Sequence, residues 1–385
     1  MDIKQAYQKN IMDTYSRFPL VIVKGEGSIV FDESGKKYID LTSGIGVNAF
    51  GYQDKEWLKA ITQQAGIIQH TSNLFYTLPE ARLAELLVRK TNMSKVFFSN
   101  SGAEANECAI KAARRSSLLK NGKGYHNIIT LKNSFHGRTV TTLSATGQEQ
   151  YHKDFFPFTE GFLYADTDNS ENIKELVKNN GCAAIMIEII QGEGGVCVLS
   201  DELIQTIKEL TSKYDIPLIV DEVQTGNGRT GKFFSYMHFD LKPDIVTTAK
   251  GLGGGLPIGA TLFSERFQNA LSPGTHGSTF GGNPISCAGA ASIIERLDDK
   301  LLLEITEKGR FIAKTLSALK SVKSVSGKGL MLGVEIEGDI KQAITGCIQN
   351  GVLVLSAKNK IRLLPPLNIG MDELNEAMNI LKSSL

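Results

Sequence analysis

Two short buried runs, each ending in a charged residue, constrain the fold of this chain more than any other feature. The apolar run Leu218–Val220 ends in Asp221, and the run Ile245–Ala249 ends in Lys250. Short, continuous runs rich in β-branched residues are typical of central parallel strands that are covered on both faces. In open α/β sheets, ligands bind beyond the carboxyl ends of such strands. The pattern therefore predicts an acid and an amine at the ligand-binding edge of one parallel sheet.

An acid and an amine at neighbouring strand ends fit pyridoxal phosphate. The aldehyde of this cofactor needs a lysine to form a Schiff base, and its ring nitrogen needs a carboxylate to stay protonated. Taken singly, Asp221 could cap a loop and Lys250 could be a solvated strand-end lysine, because both residue types are mostly exposed. The pair favours the functional interpretation, since each residue closes its own buried strand.

Composition and charge exclude several classes of protein. The chain has 385 residues, 42% of them hydrophobic and 22% charged, which is typical of a globular protein with roughly two or three domains. The net charge is +1 and Lys and Arg are dispersed along the chain, so the sequence indicates no basic patch for nucleic acid or an anionic membrane. Met1–Asn10 is polar without the apolar core of a signal peptide, and apolar runs such as Cys182–Ile187 are too short to span a bilayer. We therefore expect a cytoplasmic location.

The cysteines and histidines indicate neither disulfides nor a metal site. The five cysteines are widely spaced and form no CxxC pair. The six histidines show no metal-ligand spacing. We expect no bound metal.

Alternating strand and helix patterns run from Lys95 to Leu262. This alternation predicts a mostly parallel central sheet with helices on both faces. Before it, residues 20–41 alternate apolar and polar residues around Gly–Glu–Gly and Ser–Gly turns, which predicts a small antiparallel meander.

After Asn283-Pro284 the pattern changes to one long helical region, Ile285–Leu319, followed by a smaller layered unit. The strands predicted there are Leu330–Ile336, Val352–Leu355 and Ile361–Leu364, and the helices are Asp339–Gln349 and Asp372–Leu381. We therefore divide the chain into an N-terminal segment (1–45) that packs on the small domain, a large cofactor-binding domain (46–283) and a C-terminal small domain (284–385).

The segment Asn100–Glu107 follows a predicted strand and opens a predicted helix. Ser101 and Glu104 have the spacing of a capping box, and a well-capped helix is the simpler interpretation. The functional interpretation is a phosphate seat, because first-turn N–H groups lack partners and carry the positive end of the helix dipole. Gly102 would let an anion approach closely.

Three further residues stand at strand ends or in loops. Phe135, beside Gly137, could stack on a flat ring or belong to the core. Arg138 could grip a carboxylate through two parallel hydrogen bonds or be merely exposed. Glu193 lies between glycines and is either a solvated charge or a movable partner for a substrate-binding arginine.

The run Gly226–Lys232 has the spacing of a nucleotide-binding P-loop as far as its lysine. The next residue is Phe233, where such a loop needs Ser or Thr for magnesium. We reject a nucleotide site on this ground and interpret the glycines as a tight turn after Gln224.

A series of segments, in order along nearly the whole chain, resembles class III (subgroup II) aminotransferases of the fold-type I pyridoxal phosphate enzymes. The segments are GEGSIVFDESGKKYIDL, SNLFYTLPEARLAELL, SNSGAEANECAIKAAR, SFHGRT, EIIQGEGG, DEVQTGNGRTG, TTAKGLGGGLPIGA, HGSTFGGNP and IRLLPPL. The resemblance implies the fold-type I architecture, with a mostly parallel central sheet, helices on both faces and a smaller α+β domain.

The resemblance also implies a role for individual residues. Those expected at the cofactor are Lys250 (covalent linkage), Asp221 (ring nitrogen), Gln224 (ring hydroxyl), Phe135 (ring face), Ser101, Gly102 and Ala103 (phosphate), Val223, and Thr279 from the neighbouring subunit. Those expected at the substrate are Arg362 (α-carboxylate), Arg138, Ser278, and Glu193 as the acid that pairs with the movable arginine. Catalysis would rest on Lys250 and Asp221.

The substrates implied by the resemblance are N-acetylornithine and 2-oxoglutarate, with glutamate as a product, in a homodimer with shared active sites. Where ornithine-specific members carry a tyrosine in the N-terminal loop, this chain has small residues around Gly44–Gly46, which leaves room for an N-acyl group. Alternatives are ornithine, succinylornithine, N-succinyl-diaminopimelate or 4-aminobutyrate as amino donor. A more distant alternative is a non-catalytic binding protein on the same fold.

Overall fold

A computed structural model describes residues 2–385 of the chain. The strands, numbered in chain order, are β1 (Ile22–Glu26), β2 (Ile29–Asp32), β3 (Lys37–Asp40), β4 (Lys95–Ser99), β5 (Asn127–Leu131), β6 (Phe162–Ala165), β7 (Cys182–Ile187), β8 (Ile190–Gln191), β9 (Cys197–Val198), β10 (Leu218–Asp221), β11 (Ile245–Thr248), β12 (Gly259–Phe263), β13 (Val322–Lys328), β14 (Met331–Ile336), β15 (Val352–Leu353), β16 (Leu355–Ala357) and β17 (Lys360–Leu363).

The helical segments are α1 (Ile3–Asn10), α2 (Ser43–Gly46, a single irregular turn), α3 (Lys55–Ala65), α4 (Leu78–Thr91), α5 (Gly102–Asn121), α6 (Val140–Ala145), α7 (Ser170–Asn179), α8 (Asp201–Tyr214), α9 (Pro284–Arg296), α10 (Asp299–Ser317), α11 (Ile340–Gln349) and α12 (Met371–Ser384). No helix within residues 2–385 combines the length and the apolar character needed to cross a membrane.

Seven strands form the central sheet, in the order β4-β12-β11-β10-β7-β5-β6. The strands β11, β10, β7, β5 and β6 pair in parallel, whereas β12 runs antiparallel to both of its neighbours. The predicted mostly parallel sheet is confirmed.

Helices cover both faces of this sheet, as the alternation of side chains requires. Along β7, Ala184 and Met186 lie in one core cluster, and Ile185 and Ile187 lie in the other. The first cluster contains the inner face of α5, and the second contains the apolar faces of α7 and α8. Because successive side chains of a strand point to opposite faces, a continuous apolar run needs both coverings.

The register of the sheet brings the two predicted strand ends together. Asp221, the last residue of β10, pairs with Thr247 of β11, and Lys250 follows three residues later. Both residues therefore lie at the carboxyl edge of the sheet, where ligands of α/β folds bind.

Several elements differ from the sequence-based expectation. The helices α3 and α4 and the strand β13 lie outside the regions in which the sequence patterns predict elements. The region expected as one helix over residues 285–319 is two helices, α9 and α10. The chain leaves helical geometry at Leu297 (φ −79°, ψ 75°), and Asp298 caps α10 by accepting a hydrogen bond from the Leu301 amide at 2.8 Å. An aspartate favours this cap over a helix interior.

The C-terminal unit is built on the antiparallel sheet β13-β14-β17-β16. The run expected as one strand over residues 352–355 is divided, because β15 pairs in parallel with β3 of the N-terminal meander and β16 pairs with β17. The N-terminal strands β1, β2 and β3 and the C-terminal β15 therefore share one sheet. The exact domain boundaries stay a prediction.

Candidate active site

A cavity of about 440 Å³ opens at the carboxyl edge of the central sheet. Its walls bring together most of the residues expected at the cofactor or substrate: Ser101, Gly102, Ala103, Phe135, Arg138, Asp221, Val223, Gln224 and Lys250. Other lining residues are Val47, Asn100, Asn106, His136, Glu188 and the segment 255–258. Residues from six separate parts of the chain thus meet at one concave surface.

The first turn of α5 forms one wall. Ser101 is the N-cap and accepts a hydrogen bond from the Glu104 amide at 3.2 Å. The second half of the expected capping box is wrong, because the Glu104 carboxylate accepts instead from the backbone amide of Asn100 at 2.6 Å and from its side-chain amide at 2.9 Å. The carboxylate therefore holds the loop ahead of the helix.

Gly102 leaves this wall open to an anion. A Cβ atom built at Gly102 would lie 2.6 Å from Cγ1 of Val223, which is closer than real Cβ contacts. The absence of a side chain thus keeps Val223 in place and lets a ligand reach the first-turn amides of a 20-residue helix. Such amides, with the helix dipole behind them, bind phosphate.

Asp221 is 3% exposed and accepts hydrogen bonds from three donors. The Val223 amide donates to Oδ1 at 3.0 Å, while Asn106 Nδ2 (2.7 Å) and His136 Nδ1 (2.8 Å) both contact Oδ2. Because a carboxylate only accepts, Nδ1 of His136 carries the hydrogen. Thr247 in turn donates to Asn106 Oδ1 at 2.7 Å, which fixes the orientation of that amide. These contacts hold the Asp221 carboxylate in one orientation.

Sequence reasoning assigned no role to Asn106, His136 or Glu188. Asn106 lies on the buried face of α5 and His136 follows Phe135, so both stand inside recognised motifs. The available signal was a polar residue at an otherwise apolar position. Glu188 accepts from the Phe135 amide at 2.9 Å and so orients the loop that carries the Phe135 ring. Burial, and then the charge of Asp221, raises the pKa of Glu188 well above its usual value.

Lys250 starts a tight turn beyond β11 and has a φ of +44°, a conformation that non-glycine residues seldom adopt. Desolvation lowers the pKa of its amine, and the positive charge of Arg362 lowers it further, although Glu193 and Asp221 act in the opposite direction. A lowered pKa increases the fraction of neutral amine, which is the form that attacks a carbonyl.

Arg362, on β17 of the C-terminal unit, is 3% exposed; it contacts Gln224, which lines the cavity, but does not line the cavity itself. It forms a close ion pair with Glu193, and its Nη1 donates to Gln224 Oε1 at 3.1 Å. Gln224 Nε2 donates to Glu193 at 3.3 Å, so the three side chains form one network. Burial alone would raise the pKa of Glu193, but the Arg362 charge lowers it below the usual value. Glu193 and Arg362 are thus paired in this structure, and their roles toward a substrate stay a prediction.

The glycine-rich loop after residue 275 lies apart from these residues. Ser278 Oγ accepts from Asn100 Nδ2 at 3.2 Å and so approaches the cavity rim. Thr279 is exposed and does not line the cavity of its own chain.

The loop around Gly44–Gly46 is a left-handed turn. Ser43, Gly44, Ile45 and Gly46 all have positive φ values, and Ile45 has φ 64° and ψ 49°. This conformation is strained for a β-branched residue. The buried Ser43 hydroxyl donates to the Leu364 carbonyl, which ties the turn to the strand that carries Arg362. Val47, directly after the turn, lines the cavity.

The residues of the cavity fit pyridoxal phosphate. Gly102 and the first turn of α5 form a cradle for its phosphate. The buried Asp221 carboxylate suits a protonated ring nitrogen, and the Lys250 amine suits the aldehyde. Phe135, which also lines the cavity, provides an aromatic face for the ring.

The sequence matches the model of one protein family and is similar to named members of that family. The family model described as "Aminotransferase class-III" matches residues 11–385. Acetylornithine aminotransferase of Haemophilus ducreyi is 50% identical over 385 residues, which cover 100% of this chain and 98% of that protein.

Two solved structures extend this similarity to three dimensions. Ornithine aminotransferase of Toxoplasma gondii, with partial occupancy of PLP at its active site, aligns with a TM-score of 0.93 at 31% identity, over 99% of this chain and 93% of that one. N-acetylornithine aminotransferase of Stenotrophomonas maltophilia aligns with a TM-score of 0.84 at 32% identity, over 96% of each chain.

Proposed function

The chain belongs to the class III aminotransferases, which are pyridoxal-phosphate-dependent enzymes, and we propose that it is an acetylornithine aminotransferase. It would transfer the distal amino group of N2-acetyl-L-ornithine to 2-oxoglutarate, giving N-acetyl-L-glutamate 5-semialdehyde and L-glutamate. This reaction belongs to arginine biosynthesis. The observation that carries the proposal is the 50% identity, over the full chain, to a protein of that name. The cytoplasmic location expected from the polar N-terminal segment stays a prediction.

In the proposed reaction, pyridoxal phosphate supplies the electron sink that accepts the electrons of the substrate's amino-bearing carbon. Lys250 Nζ would take the proton from that carbon as a general base and, as a general acid, deliver it to the former aldehyde carbon of the cofactor. The lowered pKa of Lys250 leaves more of its amine neutral, which is the form that acts as a base. Asp221, held by Asn106 and His136, keeps a negative charge directed at the ring position. Such preorganised charge is usually the largest catalytic contribution.

The two half-reactions place different demands on the arginines. Glutamate and 2-oxoglutarate carry two carboxylates, so we infer that Arg138 and Arg362 both engage when they bind. Acetylornithine carries one, and Glu193 then neutralises the idle Arg362, as the observed ion pair allows. Opening the pair would also break the hydrogen bond from Gln224 Nε2 to Glu193, which is 3.3 Å long.

The main alternative amino donor is ornithine, because an ornithine aminotransferase is also structurally similar at 31% identity. A panel of amino donors with 2-oxoglutarate as acceptor tests the proposal. It should contain N-acetylornithine, ornithine, succinylornithine, N-succinyl-diaminopimelate and 4-aminobutyrate. We expect the highest kcat/KM with N-acetylornithine and no turnover with a Lys250→Ala control. If another donor gives a higher kcat/KM, that donor and not N-acetylornithine is the preferred substrate.

We further infer that two copies of the chain share their active sites. The loop His276–Asn283 is rich in glycine, and Phe280 within it is 61% exposed. Asn73 Nδ2 donates to the carbonyls of Ser278 (2.9 Å) and Gly281 (2.8 Å), which joins this loop to a second exposed apolar segment, Leu74–Tyr76. Contiguous exposed apolar surface of this kind is typical of an interface. In a homodimer, Thr279 would reach the phosphate held by the other chain.

Complementation between two inactive variants tests the shared site. Thr279→Glu would place a negative charge against the partner's phosphate, and Lys250→Ala removes the reacting amine, so each homodimer should be inactive. A mixed dimer contains one site with an intact Lys250 and an intact Thr279. Co-refolding should therefore restore part of the activity. Mixed dimers that form and stay inactive would show that Thr279 serves its own chain or none.

A further inference from the structure

Arg138, which lines the cavity, and Arg362, which contacts the cavity wall at Gln224, differ in their charged partners. Arg362 is buried and paired with Glu193. Arg138 is exposed, and within residues 2–385 it forms no ion pair and no hydrogen bond through its guanidinium. Its guanidinium carbon lies 4.0 Å from the centre of the Tyr151 ring and 5.5 Å from the centre of the Phe135 ring. The aromatic rings are therefore the neighbours that stabilise this charge.

Stacking on a ring leaves an arginine free to bind. The attraction acts through the face of the planar guanidinium, whereas its five N–H groups point outward in the plane. A carboxylate partner would occupy those donors and would have to leave before a substrate carboxylate could bind. An aromatic partner orients the cation and leaves the donors available.

The position of Tyr151 is fixed by the loop that carries Phe135. The Tyr151 amide donates to the Gln148 carbonyl at 3.1 Å, and the buried Gln148 side chain donates to the Ser134 carbonyl at 3.1 Å. The Tyr151 and Phe135 rings contact edge to face, with centres 6.0 Å apart. Tyr151 and Phe135 thus form one rigid aromatic wall against Arg138.

We propose that Tyr151 is the positioning residue for Arg138: its ring holds the guanidinium in a permanently open carboxylate site, in contrast to the site of Arg362, which Glu193 closes. This inference rests on the proposed function, in which Arg138 binds the second carboxylate of 2-oxoglutarate. Tyr151 itself touches no substrate in this proposal. It acts through Arg138 alone.

A double-mutant cycle on the cofactor-loaded enzyme tests this role. Glutarate is a suitable probe, because it has two carboxylates and neither an amino nor a keto group that would react. Its Kd is measured by calorimetry for the wild type, Tyr151→Leu, Arg138→Met and the double variant. Loss of a cation–π contact should weaken glutarate binding by roughly 3- to 30-fold in Tyr151→Leu. In the Arg138→Met background, the same change should have no further effect, since the contact is already gone.

Tyr151→Phe is the matched control, because it keeps the ring and removes a hydroxyl that makes no hydrogen bond within the described chain. It should bind glutarate within about twofold of the wild type. Equal weakening by Tyr151→Leu in both backgrounds, or none in either, overturns the inference. If Arg138→Met leaves glutarate binding unchanged, the role of Arg138 in the proposed function fails as well. If Arg138→Met weakens binding but Tyr151→Leu does not, only the role of Tyr151 fails.

Discussion

At the residue scale, the chemistry of this protein depends on polar groups whose surroundings are unusual for their type. Asp221 is almost fully buried but meets three donors, and Arg362 is equally buried but is paired with a movable carboxylate. Buried charges that lack partners are costly, so each of these contacts is needed for the fold to accept the group. A substitution that removes the charge of such a side chain but keeps its shape shows whether the charge itself is needed.

Asp221→Asn should lower kcat by roughly 10²- to 10³-fold while leaving the fold intact. The amide is neutral, and it presents N–H groups to Asn106 and His136, which themselves donate. The measurement is steady-state kinetics together with near-UV circular dichroism. Asp244→Asn, at the opposite edge of the same sheet, is the control and should stay within about twofold of the wild type. Full activity in Asp221→Asn would mean that Asp221 is only a loop cap.

The cysteines should be unreactive in the native protein. Burial raises the pKa of Cys108 and of Cys182 to about 12, and it also raises the pKa of Cys287 and Cys347. Because the thiolate is the reactive form, a raised pKa leaves almost none of it at pH 8. Titration with a disulfide reagent at pH 8 should therefore modify at most Cys197, which is partly exposed, whereas all five thiols react after unfolding. Rapid modification of two or more thiols in the native protein would contradict this expectation.

At the scale of single elements, the start of α5 both caps the helix and forms one wall of the cavity. The Ser101 hydroxyl caps the helix and Glu104 holds the preceding loop, while the first-turn amides remain directed at the cavity. The contacts of Ser101 and Glu104 stabilise the start of α5, and they leave free the first-turn amides that would bind phosphate. A small change at its first residue should therefore affect the ligand more than the helix.

Gly102→Ala should weaken binding of pyridoxal phosphate without unfolding α5. Alanine favours helix, but its Cβ atom would displace Val223 into the cavity. The readout is the cofactor Kd of the apoprotein, measured by quenching of tryptophan fluorescence. Gly66→Ala, at the end of α3 with an ordinary φ of −77°, is the matched control and should bind the cofactor normally. Equal affinity in both variants would argue against a phosphate site at Gly102.

At the scale of the whole molecule, Arg229 connects the large unit to the C-terminal unit. It is fully buried, and it donates to the carbonyls of Leu330 (3.2 Å) and Pro365 rather than to a carboxylate. Burial lowers the pKa of its guanidinium. Pro365 follows β17, the strand that carries Arg362, so the contact also links Arg362 to the unit that contains the central sheet.

Arg229→Ala should lower the free energy of unfolding by about 3 kcal/mol or more, because two charged hydrogen bonds are lost and two buried carbonyls lose their donor. Urea unfolding at a fixed cofactor concentration measures the change. The control is Arg310→Ala on the exposed face of α10, which should stay within about 0.5 kcal/mol of the wild type. We also expect a raised KM for 2-oxoglutarate in Arg229→Ala. Unfolding indistinguishable from that of Arg310→Ala would contradict the linking role.

Local residue patterns are enough to predict the central strands, their parallel arrangement and the positions of Asp221 and Lys250 at the strand ends. These features follow from local patterns, because a continuous apolar run must be covered on both faces and the charge that ends it must emerge at an edge. The residue types of Asn100–Glu107 and of Glu193 leave a structural and a functional interpretation open, and only the resemblance to class III aminotransferases favours a phosphate seat and an acid–arginine pair. Helix breaks and short strands were less evident, since Asp298 and the run over residues 352–355 carry no strong local signal.

The side chains that meet around these residues come from distant parts of the chain, so local patterns do not predict them. Asn106 and His136 lie 115 and 85 positions from Asp221 in the chain, and Glu193 lies 169 positions from Arg362. Their contacts depend on strand order, on which face of α5 is buried and on how the C-terminal sheet docks. The stacking of Arg138 on Tyr151 likewise depends on the turn that ends at Tyr151. Residue patterns reflect periodicity along one element, whereas these contacts are set by packing between elements that are distant in sequence.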